Sequence, residues 1–303
     1  MSPRFGAGLW RLADPKISLA SFSGIFLGAC AAAHEGPLST PWLLLTVLGI
    51  FAIEVAKNAS GEIVDFDSGA DAAVAPEDRS PFSGGKRVLV DGLLTRRQTA
   101  VIAATCYVSG ITAGLVIVFA RAAWVLPLGI LGVAAALFYH CSPLRLAYRG
   151  LGEAAVGLAY GPLIVSGTYL VQRERVAAWV VWLSVALGLS IADFLLVNEF
   201  PDARADAQAG KRTLVVRLGR ARAATLFGAV AATAFGVLFL LPLAGAPTGV
   251  WLGAAGAFPA ARAALILRAH PETTSRIIPA QRLALLAFLL LAFGAGLGLL
   301  VGR

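Results

Sequence analysis

Charge is what this chain has least of. Only 14% of its 303 residues are Asp, Glu, Lys or Arg, against about 25% in soluble domains. That excludes an ordinary water-facing globule. The three cysteines, Cys30, Cys106 and Cys141, have no pair spacing, which excludes a disulfide framework or a zinc site and leaves them as small buried hydrophobes. The three histidines, His34, His140 and His270, lack metal-ligand spacing too. His140 lies near the candidate site described below, but a structural role is favoured for it. There is no low-complexity tail and no complete phosphate-loop pattern. The net charge of +8 would point to nucleic acid in a soluble protein. Here the Lys and Arg bias of cytoplasmic loops accounts for most of it, and nucleic acid is not expected as a partner.

Apolar residues are what the chain has most of: 58% are hydrophobic and the mean hydropathy is +0.79. The expected fold class is an all-α polytopic membrane protein, one domain over residues 1–303. The length fits about nine spans of ~20 residues, near 17–34, 41–60, 98–120, 123–140, 151–171, 177–198, 222–244, 249–268 and 280–301. Arg4, Arg11 and Lys16 before the first apolar run imitate a signal peptide, yet the later spans favour a retained helix. With the N-terminus in the cytoplasm, loops 60–97, 141–150, 199–221 and 269–279 share a side and collect most Lys and Arg, which sets the orientation. The expected location is a bacterial inner membrane. Gly294, Gly298 and Gly302 predict a close helix contact. Trp124, Trp179, Trp182 and Trp251 read as interfacial anchors.

Two acid-rich segments stand out, because carboxylates near hydrocarbon mark a site by default. The first runs from Asn58 through Glu62, Asp65 and Asp67 to Asp71, and the second from Asn198 through Glu199, Asp202 and Arg204 to Asp206. Residues four apart share a helix face, so Asn58 with Glu62, and Asn198 with Asp202 and Asp206, each point one way. Pro201 is tolerated if it opens a turn or a kink. Facing helix ends of this kind offer oxygen ligands for Mg²⁺, which shares one or two carboxylates with substrate phosphates. Two ions would bridge a diphosphate and stabilise it as it leaves. A lone Asp at a helix end most simply meets water or a nearby cation, and Lys57, Asp67, Glu77 and Asp78 are read that way. Two matching clusters on one membrane face favour function.

Lys86, Arg87, Lys211 and Arg212 are the candidate diphosphate clamps, with topology as the competing explanation, weakest for Lys211. Gly84-Gly85 would let backbone N–H groups approach an anion, though a lone Gly-Gly is weak evidence. Loop 60–97 is expected to form a partly ordered cap. A third segment runs from Tyr139 to Glu153. Tyr139 either stabilises an allylic cation with its ring face or anchors its helix. Arg145, near Tyr148, either contacts diphosphate or follows topology. Asp193 lies inside the sixth span, either lining a cavity or bonding a neighbouring helix.

With these residues in hand, the chain resembles the UbiA superfamily of intramembrane prenyltransferases, most of all the menaquinone-branch members that prenylate 1,4-dihydroxy-2-naphthoate. The stretch from Asn198 to Gly219 carries most of the likeness. Asn58, Asp65-Phe66, Gly69 and Asp71 carry a second part, and Tyr139 to Glu153 a third. The resemblance implies a nine-helix bundle around a central cavity that opens laterally to lipid. It implies Asp65, Asp71, Asp202 and Asp206 as ligands of two Mg²⁺ ions, with Asn58 and Asn198 assisting. Substrate contacts would come from Glu62, Lys86, Arg87, Arg145, Tyr148, Lys211 and Arg212, beside Tyr139. The implied reaction joins a polyprenyl diphosphate to an aromatic acceptor, with loss of CO₂ in the naphthoate case. Gly61-Glu62 departs from the Asn-Asp of many relatives. The rivals are another acceptor (4-hydroxybenzoate, homogentisate or a non-aromatic one), a cation-coupled transporter, and a prenyl-lipid binder without turnover. Transporters place their carboxylates near the midplane, whereas these sit at helix ends beside phosphate-compatible cations.

Overall fold

The computed structural model describes residues 3–302. It is all-helical, with no β-strand among the described residues. The elements are α1 (Pro3–Ala13), α2 (Pro15–Glu35), α3 (Thr40–Asp67), α4 (Ala70–Ala73), α5 (Arg96–Ala120), α6 (Val125–Phe138), α7 (Gly152–Leu158), α8 (Ile164–Arg173), α9 (Ala178–Gln208), α10 (Leu214–Leu218), α11 (Arg220–Leu240), α12 (Ala257–Ala269) and α13 (Thr274–Val301). Seven helical stretches are long and apolar enough to cross a membrane, and the bent pair α1–α2 gives an eighth. Helix α6 is apolar but shorter. The chain is an integral membrane protein.

Local chemistry explains the boundaries. Thr95 caps α5 through a reciprocal capping box with Gln98, satisfying two N–H groups that a helix start would orphan. Pro162 removes one helical donor, and the chain answers with a single π-turn over Ala159–Leu163 that joins α7 to α8. Gly219, at φ 77°, separates α10 from α11. Two helices run further than hydropathy alone predicts. Helix α3 continues to Asp67 and α9 to Gln208, because Ala59, Ile63, Val64, Ala203, Ala205 and Ala207 sustain them between the polar positions. The expected loop 60–97 is therefore shorter, and the second acidic segment is helical, with Pro201 inside it.

Helix α9 is the centre of the bundle. Within its apolar window 72% of residues are buried, against 17% for the peripheral α5. Its own Leu187, Phe194 and Phe200 pack with Phe227 of α11, Phe288 of α13 and Tyr169 of α8 in one core. The expected small-residue contact is present: Gly298 of α13 lies against the Gly249 backbone, and Gly294 against Leu252 and Gly253. No Cβ fits between these backbones, which is how small residues let membrane helices approach.

Candidate active site

The acidic ends of α3 and α9 meet at one end of the bundle. Asp65 Oδ1 accepts from the Tyr148 hydroxyl at 2.9 Å, and its Oδ2 lies 3.6 Å from His140 Nε2. Just beyond α3, Asp71 sits in α4 against Gly85, at a spot a Cβ on Gly85 would occupy. Burial, then the neighbouring Asp65 and Glu62, push the Asp71 carboxyl up to about 7. From α9, Asp202 Oδ2 accepts from the Gly84 backbone N–H at 3.2 Å. Asp206 forms an ion pair with Lys211 at 3.4 Å.

Lys211 ties the cluster together. Burial opposes its charge, but Asp206, Asp65, Tyr139 and Asp202 outweigh burial and hold its pKa well above the usual lysine value. The ammonium thus stays charged among three carboxylates from two helices.

The other expected site residues fall in several places. Lys86 pairs with Asp14 at 2.9 Å. Arg87 donates to the Asp71 backbone oxygen at 2.9 Å and pairs with Asp91 at 3.4 Å. The Arg145 guanidinium lies 3.8 Å from the Tyr148 ring centroid. Glu62 is buried, and its carboxylate accepts from Leu89 N–H at 2.8 Å, so it holds the cap loop. Asn58 is buried and donates to the Leu12 carbonyl at 2.8 Å, away from the acids. Arg212 is exposed, while its backbone N–H donates to the Tyr148 carbonyl.

Several residues with no sequence signal also belong to this neighbourhood. His140, read as structural, faces Asp65 and fills the space beside Gly61. Asp78, read as solvated, is buried and accepts from Arg204 at 2.6 and 3.1 Å and from Thr274 at 3.1 Å, fastening the cap loop to α9 and α13. Glu54, Lys57 and Tyr160 form a polar group on α3 and the π-turn.

Tyr139 and Lys57 mark where the acidic end gives way to an apolar cavity of about 560 Å³. Leu45, Ile53, Leu128, Val133, Leu163 and Val171 are among its walls. Along α3 it extends from Leu45 to Lys57, ~18 Å at the helical rise of 1.5 Å per residue.

The donor set suits a shared Mg²⁺ better than a closed cage. Among the described residues no three His, Cys, Asp or Glu form a protein-only metal site. Asp202 Oδ1 and Asn198 Oδ1 are buried without a hydrogen-bond partner, and orphaned buried oxygens are costly. Such oxygens, beside Asp65, Asp71 and Asp206, fit an ion that completes its shell with water and substrate phosphate.

Comparisons with known proteins identify the family and the fold. The family model described as the UbiA prenyltransferase family matches residues 21–278. The 1,4-dihydroxy-2-naphthoate octaprenyltransferase of Mycobacterium tuberculosis is 33% identical over 219 residues, 72% of this chain and 71% of that one. The Bacillus subtilis protein of the same name is 26% identical over 76% of this chain and 72% of its own length. A UbiA homolog from Aeropyrum pernix superposes with a TM-score of 0.70 at 20% identity, covering 93% of this chain and 97% of that one. Another, from Archaeoglobus fulgidus and solved with GPP and Mg²⁺, gives 0.64 at 13% identity, over 95% and 98% of the two chains. The helical order, the paired acidic helix ends and the family match lead to one conclusion: the chain belongs to the UbiA prenyltransferase family and is an enzyme that transfers prenyl groups.

Proposed function

We propose that the protein transfers a polyprenyl group from its diphosphate to 1,4-dihydroxy-2-naphthoate in an Mg²⁺-dependent reaction that releases CO₂. The observation that carries this reading is the meeting of Asp65, Asp202 and Asp206 around the charged Lys211, at one end of an apolar cavity. Tail and head of a lipid diphosphate need those two environments side by side. The names of the mycobacterial and Bacillus relatives support the acceptor.

Asp65, Asp71, Asp202 and Asp206, with Asn198 beside them, would hold two Mg²⁺ ions, and Asn58 would steady α3 through Leu12. Bound there, Mg²⁺ would stabilise the charge gathering on the departing diphosphate. Lys211 would meet that same charge as a fixed cation, and Lys86, Arg87, Arg145 and Arg212 would supply further contacts to the diphosphate. Preorganised charge of this kind usually contributes most of the rate enhancement in such sites. The Tyr139 ring, on the cavity wall, would stabilise the allylic cation with its π-face. Tyr148 orients Asp65, and Glu62 holds the cap over the site. In the reaction the bond from carbon to diphosphate oxygen breaks, a carbon–carbon bond to the ring forms, and the carboxyl group leaves as CO₂.

The chain is one domain of nine spans, counting α1–α2 as one and α6 as another. The cavity between α3, α5, α6 and α8 takes the tail. The acidic end faces the cytoplasm of a bacterial inner membrane, where the loop cations gather. An acceptor screen read by mass spectrometry tests the assignment. The dihydroxynaphthoate product should lack CO₂ relative to a simple adduct. Turnover of 4-hydroxybenzoate or homogentisate in its place would overturn the acceptor.

A further inference from the structure

The cavity wall carries one polar group that the chemistry above leaves unused. Lys57 Nζ approaches the Tyr160 hydroxyl at 3.4 Å, with the Tyr160 and Tyr139 ring centroids 5.8 and 5.9 Å away. The Tyr160 hydroxyl donates to Glu54 Oε1 at 3.1 Å, and Ser21 Oγ donates to Glu54 Oε2 at 2.6 Å. Ser21, Glu54, Lys57, Tyr139 and Tyr160 all line the cavity.

An ammonium has three protons to donate. Among the described residues the Lys57 side chain makes that one long hydrogen bond and no ion pair within 4 Å; the Glu54 carboxylate one turn earlier balances part of its charge, and its remaining N–H donors are left for the cavity side. Glu54 is 5% exposed; the bond from Ser21 fixes its carboxylate, and the bond from Tyr160 holds that hydroxyl, and through it Lys57, in place. A charge in an apolar wall is expensive unless something meets it. Lys57 lies eight residues before Asp65, ~12 Å along the helix, so an anion on it is separate from a diphosphate at the acidic end.

We infer that Lys57 binds the carboxylate of the aromatic acceptor, with Glu54 and Tyr160 as positioning residues. The inference deepens the acceptor assignment proposed above and rests on it. A flat ring carrying an acid group would lie beside Tyr139, its carboxylate on Lys57 and the adjoining ring carbon, where the new bond forms, turned toward the diphosphate end.

The test is equilibrium binding of 1-hydroxy-2-naphthoate and of 1-naphthol to the full chain in detergent, for wild type, Lys57→Met, Lys57→Arg and Glu54→Gln. Lys57→Met should weaken the carboxylated probe at least tenfold and leave 1-naphthol within twofold, with Lys57→Arg recovering part of the loss. Glu54→Gln should shift the naphthoate in the same direction, by less. In steady-state assays the acceptor KM should rise in Lys57→Met while the prenyl diphosphate KM stays put. Equal affinity of wild type and Lys57→Met for the naphthoate, or an equal loss for both probes, overturns the inference. Binding is read without turnover, so an inactive wild type would defeat the transferase assignment and leave the Lys57 result standing.

Discussion

The contact between Gly85 and Asp71 makes the sharpest prediction. Gly85 has φ +74°, and a Cβ there would fall on the Asp71 carboxylate. Gly85→Ala therefore adds two costs. The left-handed backbone costs ~1–2 kcal/mol for an L-residue. The collision must then be relieved by moving either Asp71 or the loop. The loop is held on both sides, by Gly84 N–H on Asp202 and Leu89 N–H on Glu62, and each such bond is worth roughly 1 kcal/mol or more. The strain lowers stability and is shared by any left-handed glycine, whereas displacing Asp71 or one loop bond costs about 1–2 kcal/mol at the site, or roughly 5- to 30-fold in kcat/KM at ~1.4 kcal/mol per decade. Gly92 is the internal control. Its φ is +62°, and a methyl group there would meet nothing within 4 Å, so Gly92→Ala carries the strain without the collision. Diphosphate release in detergent, with melting temperature in parallel, should show Gly85→Ala far less active than Gly92→Ala at similar stability. If the two variants are equally active within threefold, the cap does not set the position of Asp71 and the reasoning fails.

Asp65→Ala and Asp202→Ala should each remove turnover while circular dichroism still reports the folded bundle. Retention of a tenth of the wild-type rate by either one argues against a shared ion site. Chelation by EDTA should stop diphosphate release and added Mg²⁺ should restore it, and full activity in EDTA would end the metal assignment. Asp78→Ala loses the bonds from Arg204 and Thr274 and should lower stability by about 1.5–3 kcal/mol through the buried Thr274 bond, the exposed Arg204 adding little. A melting temperature unchanged from wild type would mean the cap is not fastened there. Gly298→Leu drives a side chain into the Gly249 backbone. It should abolish a monodisperse peak in gel filtration, and a normal peak would show that the two backbones can separate.

Periodicity and hydropathy located the helices well, because long apolar runs leave the backbone no alternative to helix in lipid. They misplaced the ends of α3 and α9, where short polar-and-alanine sequences continue a helix that the hydropathy pattern has already abandoned. The acid pairing was legible for a similar reason: a four-residue spacing puts Asp202 and Asp206 on one face whatever lies opposite. The partner of each side chain was not. Asn58 obeys the same spacing as Glu62, yet one bonds Leu12 and the other Leu89, since the face a helix presents says nothing about which neighbour fills it. Lys57 was unreadable alone, because its hydrogen-bond partner, Tyr160, comes from an element a hundred residues away.

Gly61-Glu62 shows the same limit from the other direction. As a string it is a departure from the Asn-Asp of many relatives, with a longer arm on the one carboxylate that remains. In the fold, a side chain at position 61 would run into the His140 imidazole, whose Nε2 faces Asp65. The imidazole from the segment after α6 takes the space that a larger residue at position 61 would fill. Glu62 is long enough to reach the Leu89 N–H, and one methylene less would leave that buried amide short of its acceptor. The two substitutions therefore act on different neighbours: Gly61 admits the histidine beside the acids, and Glu62 fastens the cap above them. A histidine at 140 and a glycine at 61 should be exchangeable only together. Gly61→Asn alone should cost activity, and adding His140→Ala should recover part of it by making room, whereas additive losses in the double variant would show that the two sites are independent.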